Sequence, residues 1–183
     1  SATGNAISLS SASTAGSIIN DGSISGTFNG ISVSRSSSIT GDITNNLNGT
    51  ISSTGSSGAA ILLNANGSAG NITNIGTISG SRYGISLKDA GASSANLGGS
   101  SVAGDISNSG TISGNSAGIW LSSGSLIGGN INNSGTISAN VAGIWLNTNS
   151  LISGSVNNNG TISGNLAGIA LLGSTITGGS TNT

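Results

Sequence analysis

Residues 131 to 155 read INNSGTISANVAGIWLNTNSLISGS, and this stretch decides the fold because the chain repeats it. The 25 residues before it read ISNSGTISGNSAGIWLSSGSLIGGN, and the 25 after it read VNNNGTISGNLAGIALLGSTITGGS. None of the three copies contains an acid, a base, a histidine or a cysteine. Repeats of about 20 to 50 residues are typical of solenoids, in which each unit buries its apolar residues against its neighbours.

The same repeat extends towards the start of the chain. The residue that opens the phrase xNxGTIS recurs at spacings of 25, 29, 34, 25 and 25 residues. These positions are Ile18, Ile43, Ile72, Ile106, Ile131 and Val156. A second phrase has two apolar residues flanking a third residue, as in Ile119 to Leu121, and a weaker third phrase precedes a glycine. We therefore expect three short apolar segments in each coil, separated by Gly, Asn and Ser.

Each segment is three to five residues long and alternates with a period of two, which indicates strands. The sequence predicts one all-β domain over residues 1–183, a right-handed parallel β-helix with no helix longer than a turn. Its coils would be three-sided, about seven in number and about 25 residues each. At about 4.8 Å between paired strands, seven coils make a rod roughly 34 Å long. Right-handed winding follows the general preference of parallel crossovers.

Composition argues against several classes of function. Only 4% of the residues are charged, the formal net charge is −1, and the chain contains no Cys or His. These facts argue against nucleic acid as a partner, against disulfides, and against thiolate or imidazole metal sites. We expect no cofactor, no metal and no enzymatic activity. Asp42 and Asp105 share a repeat position two coils apart and are the basis of one alternative, a polysaccharide-degrading module.

Two polar columns are predicted to be structural. Asn20, Asn74, Asn108, Asn133 and Asn158 each lie two positions after their phrase begins, and we expect their amides to form a hydrogen-bonded ladder. Two extra residues in ITNNLNGTIS are expected to break this ladder in the second coil. The glycine of each NGT-like phrase is expected to supply a tight corner with positive φ. These glycines are Gly22, Gly49, Gly76, Gly110, Gly135 and Gly160.

Interruptions of the repeat give the candidate contact surface. A loop inserted at residues 88–101 lengthens one coil to 34 residues, and insertions in solenoids often carry binding residues. Trp120 and Trp145 lie between inward apolar residues on successive coils, so we expect two exposed, stacked indoles. The candidate contact residues are Arg82, Tyr83, Lys88, Asp89, Trp120 and Trp145. The alternative for the tryptophans is that the pair only supports the sheet.

A further pair of columns carries hydroxyl groups. In each TIS phrase the Thr and Ser flank an inward Ile, so their hydroxyls should form two outward columns. The columns run through Ser23, Thr50, Thr77, Thr111, Thr136 and Thr161, and through Ser25, Ser52, Ser79, Ser113, Ser138 and Ser163. Such an array is similar to the faces of some ice-binding solenoids, which is a minor alternative for function. The simpler interpretation is β-propensity combined with uncharged solubility.

The NSGTISG…AGIWL phrasing resembles the passenger regions of autotransporters and related adhesins of Gram-negative bacteria, over nearly the whole chain from Ala6 to Gly179. The resemblance implies a right-handed β-helix exported through an outer-membrane β-barrel. The chain would then be part of a longer passenger, located extracellularly or on the bacterial surface. The expected function is a non-catalytic adhesin stalk for adhesion, self-association or biofilm. Expected partners are further copies, end to end or side by side, and a cell-surface glycan or host surface. The alternative is a carbohydrate-binding or polysaccharide-degrading module.

Overall fold

The computed structural model of the chain describes residues 2–88 and 99–183, and it confirms the all-β solenoid. About seven coils of about 25 residues stack through parallel strand pairing, and no helix occurs in these two ranges. Each strand pairs with its counterparts in the neighbouring coils. The fold class predicted from the repeat is therefore correct.

The strands form four parallel sheets, numbered here in the order in which the chain visits them. Sheet I contains β1 (Ile7–Leu9), β5 (Ile31–Ser34), β9 (Ala59–Asn64), β13 (Tyr83–Lys88), β17 (Ala117–Leu121), β21 (Ala142–Asn147) and β25 (Ala167–Leu172). Sheet II contains β2 (Thr14–Ala15), β6 (Ser38–Ile39), β10 (Ser68–Ala69), β14 (Ser101–Val102), β18 (Leu126–Ile127), β22 (Leu151–Ile152) and β26 (Thr175–Ile176). Sheet III contains β3 (Ile18–Asn20), β7 (Ile43–Asn45), β11 (Ile72–Asn74), β15 (Ile106–Asn108), β19 (Ile131–Asn133), β23 (Val156–Asn158) and β27 (Ser180–Asn182). Sheet IV contains β4 (Ser23–Gly26), β8 (Thr50–Ser53), β12 (Thr77–Gly80), β16 (Thr111–Gly114), β20 (Thr136–Ala139) and β24 (Thr161–Gly164).

The expectation of three segments per coil is wrong, because the phrase xNxGTIS contains two strands. In one coil β15 ends at Asn108 and β16 begins at Thr111, with Ser109 and Gly110 as the corner between them. Asn108, whose amide is buried, and Gly110 turn the chain in the middle of a stretch that looks like one apolar segment in the sequence. The sequence analysis expected a corner at this glycine but still counted the residues on its two sides as one segment.

Like residues stack on like residues throughout the rod. Ile131 pairs with Ile106 on one side and Val156 on the other, and the Ile column of sheet IV runs through Ile78, Ile112 and Ile137. These side chains are fully buried in one continuous core. Complete burial of each contributes about 1.5–3 kcal/mol. A single coil has no such partners, so the core exists only between coils.

Five of the six glycines of the NGT-like phrases, all except Gly22, are needed for space, and the expected positive φ is wrong. None of the six adopts a left-handed conformation. A Cβ added to Gly135 would lie 2.7 Å from the carbonyl oxygen of Ser109 and closer still to that of Gly110. Left-handed residues occur instead at the corner between sheets I and II, for example Ser123 (φ 56°) and Gly124 (φ 72°).

Candidate functional site

A ladder of asparagine amides runs along the rod between sheets III and IV. The Nδ2 of Asn108 lies 2.7 Å from Oδ1 of Asn133, and it also donates to the carbonyl oxygens of Gly110 and Thr136. The ladder consists of Asn20, Asn45, Asn74, Asn108, Asn133, Asn158 and Asn182. The predicted break in the second coil is wrong, because Asn45 continues the ladder. The extra residues follow it, where Leu47 is 74% exposed.

Asp42 and Asp105 belong to a second ladder that the sequence analysis did not identify. Oδ1 of Asp42 accepts a hydrogen bond from the backbone N–H of Asn71 at 2.7 Å. Oδ1 of Asn71 accepts from the N–H of Asp105 at 2.9 Å, and Oδ1 of Asp105 accepts from the N–H of Asn130 at 2.7 Å. Both carboxylates therefore tie one coil to the next. This geometry gives them a structural role and lends no support to a carboxylate pair for polysaccharide cleavage.

A column of serines closes the corner between sheets I and II. Oγ of Ser125 donates to the carbonyl oxygen of Ser122, and Ser150 repeats this bond one coil later, each at 2.7 Å and across three residues. Ser100 makes the same type of bond to the carbonyl oxygen of Lys88 at 2.9 Å, but across 12 residues. The recurrence of serine at positions 100, 125 and 150 was the available signal in the sequence.

This serine bond defines the ends of the inserted loop. Lys88 is the last residue of β13 and Ser101 the first of β14, so both belong to the sheets. Ser100 holds the two ends together as at an ordinary corner. The predicted contact residue Asp89 and the loop to residue 98 lie outside the described residues.

The aromatic candidates form a cluster on the outer side of sheet I. Trp120 pairs in register with Trp145, as predicted, but the ring that stacks on Trp120 is that of Tyr83. The two ring centroids are 4.5 Å apart and the planes differ by 6°. Both tryptophans are half-buried rather than exposed, because they pack against Ala59, Tyr83 and Ala117. The structure therefore unites Tyr83, Trp120 and Trp145 in one outer apolar cluster.

Arg82 extends this cluster with a positive charge. Its guanidinium carbon lies 5.2 Å from the centroid of the Tyr83 ring, within the range of a cation–π contact. Burial raises the pKa of the Tyr83 hydroxyl above its ordinary value, and the nearby charge of Arg82 and its hydrogen bond oppose this shift. Arg82 itself is exposed and stays available to solvent.

A cavity of about 180 Å³ lies beside the stacked rings, and we call it the Tyr83 cavity. It is lined by Asn29, Ser57, Ala59, Leu62, Arg82, Tyr83, Ser86, Lys88 and Trp120. Four of the six predicted contact residues therefore border one space. Ser86 was not predicted, since as the middle residue of its strand it was expected to face outward, yet it is only 1% exposed.

Two polar grooves run along other faces. One follows the sheet III side of the asparagine ladder, and the other follows the serine column of sheet IV through Ser79, Ser113 and Ser138. The predicted hydroxyl columns are in register over the six strands of sheet IV. Oγ of Ser113 donates to Oγ of Ser79 at 3.2 Å. None of the described residues that line these two grooves is charged.

Within residues 2–88 and 99–183, no group of three or more acidic, His or Cys side chains is placed to hold a metal ion. The same ranges include no helix with the length and apolarity needed to span a membrane. No known protein family, curated protein or solved structure matches this chain.

Proposed function

We propose that this chain is a stalk, a secreted or surface-displayed rod that mediates adhesion or self-association at a bacterial surface without catalysing a reaction. The observation that carries the proposal is the continuous asparagine ladder from Asn20 to Asn182. It joins successive coils along the rod axis. A structure whose coils contact only their neighbours serves as a spacer whose length increases with coil number.

The uncharged outer faces support the adhesive part of the proposal. The whole chain has three basic and four acidic residues, and the columns of sheet IV carry only Thr and Ser on the outside. A large net charge would keep copies apart by repulsion, and this chain lacks one. Long neutral faces of this type favour side-by-side contact between rods.

The proposal is tested by coupling the purified chain to beads and measuring their clumping and their attachment to bacterial and abiotic surfaces. Beads carrying serum albumin are the negative control. We expect the chain to promote clumping or attachment. Beads that behave like the albumin control would contradict the proposed function.

Two variants locate the contact. Trp120→Ala combined with Trp145→Ala removes two of the three aromatic groups of the outer cluster, and we expect attachment to fall. Deletion of residues 90–98 joins Asp89 to Gly99, which restores the two-residue corner formed elsewhere by Ser123 and Gly124. Circular dichroism and protease resistance check that both variants stay folded. Unchanged attachment by both would assign adhesion to the repeated polar faces instead.

A further inference from the structure

The Tyr83 cavity differs from the two polar grooves in the chemistry of its lining. The grooves are lined by neutral polar groups, and the ladder amides of Asn74, Asn108 and Asn133 already have partners inside the rod. The cavity combines a guanidinium, an aromatic pair and a buried hydroxyl that has no partner within the described part of the chain. This combination makes it the strongest candidate for a specific ligand.

Ser86 supplies the first argument. Its side chain is 1% exposed and lines the cavity, yet its Oγ has no hydrogen-bond partner among residues 2–88 and 99–183. Its neighbours in register, Leu62 and Trp120, present apolar surface. A buried polar group without a partner costs about 1–3 kcal/mol. A ligand hydroxyl in the cavity would form one hydrogen bond with Ser86 Oγ, as donor or as acceptor, and remove that cost.

Arg82 supplies the second argument. Its guanidinium is held against the Tyr83 ring at the rim of the cavity, with its outer side exposed. A planar guanidinium pairs with a carboxylate through two parallel hydrogen bonds. Asp21, Asp42 and Asp105, the acidic residues among the described positions, lie beside sheet III and not in this cavity. The electrostatics of the described lining therefore favour an anionic ligand group.

The size and apolar walls supply the third argument. Leu62, Tyr83 and Trp120 present apolar surface to a space of about 180 Å³. Pockets for drug-sized ligands measure about 300–1,000 Å³, so this space accommodates a single ring. A sugar ring has apolar C–H groups to pack on such walls and hydroxyls to reach Ser86.

We propose that the Tyr83 cavity binds one carboxylate-bearing sugar unit of an acidic glycan. The sugar carboxylate pairs with Arg82, its ring packs on Leu62, Tyr83 and Trp120, and one hydroxyl bonds Ser86 Oγ. This inference rests on the proposed function, because it names the ligand class for the rod's contact surface.

The test compares pairs of sugars that differ only in whether they carry a carboxylate. Methyl glucuronoside and methyl galacturonoside carry a carboxylate where methyl glucoside and methyl galactoside carry a hydroxymethyl group. Binding to the purified chain is followed by saturation-transfer NMR and by fluorescence of the two tryptophans. We expect at least one acidic sugar to bind about tenfold or more tightly than its neutral counterpart, as a charged hydrogen bond implies.

Variants test the assigned roles. Arg82→Gln should abolish the preference for the acidic sugar, and Ser86→Ala should weaken its binding by about threefold to tenfold. The matched controls are Arg35→Gln, an exposed arginine elsewhere on the rod, and Ser32→Ala, a buried serine of the same column outside the cavity. Both controls should bind like the parent chain. Absence of any acidic preference in the parent, or its survival in Arg82→Gln, overturns the proposal.

The bead assay separates this inference from the proposed function. If beads attach but neither acidic sugar binds, the sugar site is wrong and the adhesive rod stands. If an acidic sugar binds through Arg82 but beads attach no better than albumin beads, the site stands and the adhesive function is wrong.

Discussion

Asn108 shows at the scale of one residue how the rod tolerates polar side chains in its interior. The side chain is 2% exposed, accepts from Asn74 and donates towards three oxygen atoms in its own and the next coil. A buried amide is stable only when its donors and acceptors are paired, and stacking on an identical residue pairs them automatically. The ladder therefore combines burial with satisfied hydrogen bonds.

Replacing Asn108 by Ala should lower the free energy of unfolding by about 2–3 kcal/mol, because it removes the donor to Oδ1 of Asn133 and two carbonyl oxygens. Chemical denaturation of parent and variant measures the difference. Asn115→Ala is the control, since Asn115 forms a similar amide pair with Asn140 on the exposed surface. Its effect should stay within about 0.5 kcal/mol. Equal effects at both sites would contradict a special role for the buried ladder.

Tyr83 is the only tyrosine of the chain, so its ionisation can be followed directly by tyrosinate absorbance. Burial raises the pKa of this hydroxyl in the folded rod above the value of 10.0 expected for an unfolded chain. The unfolded state therefore releases the proton at a lower pH than the folded state. The contribution of Tyr83 to the free energy of unfolding should be constant below pH 10 and should fall as the pH rises towards the folded-state pKa. Absorbance titration of the folded and denatured protein checks this order. A tyrosinate transition in the folded protein at or below that of the denatured protein would contradict it.

At the scale of an element, the short strands depend on glycine at their corners. The corner between sheets III and IV repeats Gly110, Gly135 and Gly160 directly above one another, and each approaches the backbone of the coil before it. A side chain there would push adjacent coils apart. The strands that follow, such as β20, would lose their pairing distance on one side.

Gly135→Ala should therefore lower the free energy of unfolding by about 1–3 kcal/mol, since its Cβ would meet backbone atoms that have no room to move. Gly22→Ala is the matched control, because it occupies the same repeat position and an added Cβ there meets no atom within 4 Å. Thermal unfolding of the two variants compares them. The expectation is wrong if Gly22→Ala destabilises the rod as much as Gly135→Ala.

At the scale of the whole molecule, the coils are interchangeable in the core because the buried apolar columns continue from one coil to the next in register. Ile106 pairs with Ile131, and Ile131 pairs with Val156, in the same register. Removing one full coil should leave the remaining columns intact. Stability is then approximately a sum over coils and the interfaces between them.

Deletion of residues 131–155 joins Asn130 to Val156 and should give a folded rod that is shorter by about 4.8 Å. Circular dichroism measures the strand content, and small-angle X-ray scattering measures the length. The control deletion of residues 131–156 also removes Val156, so the chain is one residue short of a full coil. Either Asn157 then takes the buried position of Val156, or the corner before it loses a residue. We expect this control to be clearly less stable. Similar stability of the two deletions would argue against strict register.

The sequence by itself determined the repeat, the parallel pairing of like residues and the buried Ile columns. These features depend on periodicity, which is a property of the chain alone. It also identified most of the asparagine ladder, although it excluded Asn45, because an insertion in sequence was taken for a shift in register. The extra residues form part of the corner after Asn45, so the register of the strands is unchanged. The sequence pattern does not show at which residue such a loop begins.

Only the tertiary structure decided the number of strands in each coil and the arrangement of the candidate site. The four strands of each coil and the carboxylate ladder of Asp42 and Asp105 depend on contacts between residues 25 or more positions apart. The serine bond from Ser100 to Lys88 depends on a contact across the insertion. The stacking of Tyr83 on Trp120 is of the same kind. The two residues stand at different repeat positions, so periodicity does not bring them together. Their contact arises from packing between adjacent coils, where both rings belong to one cluster with the small residues Ala59 and Ala117. Only the three-dimensional structure shows the cavity beside them, which Ser86 also lines.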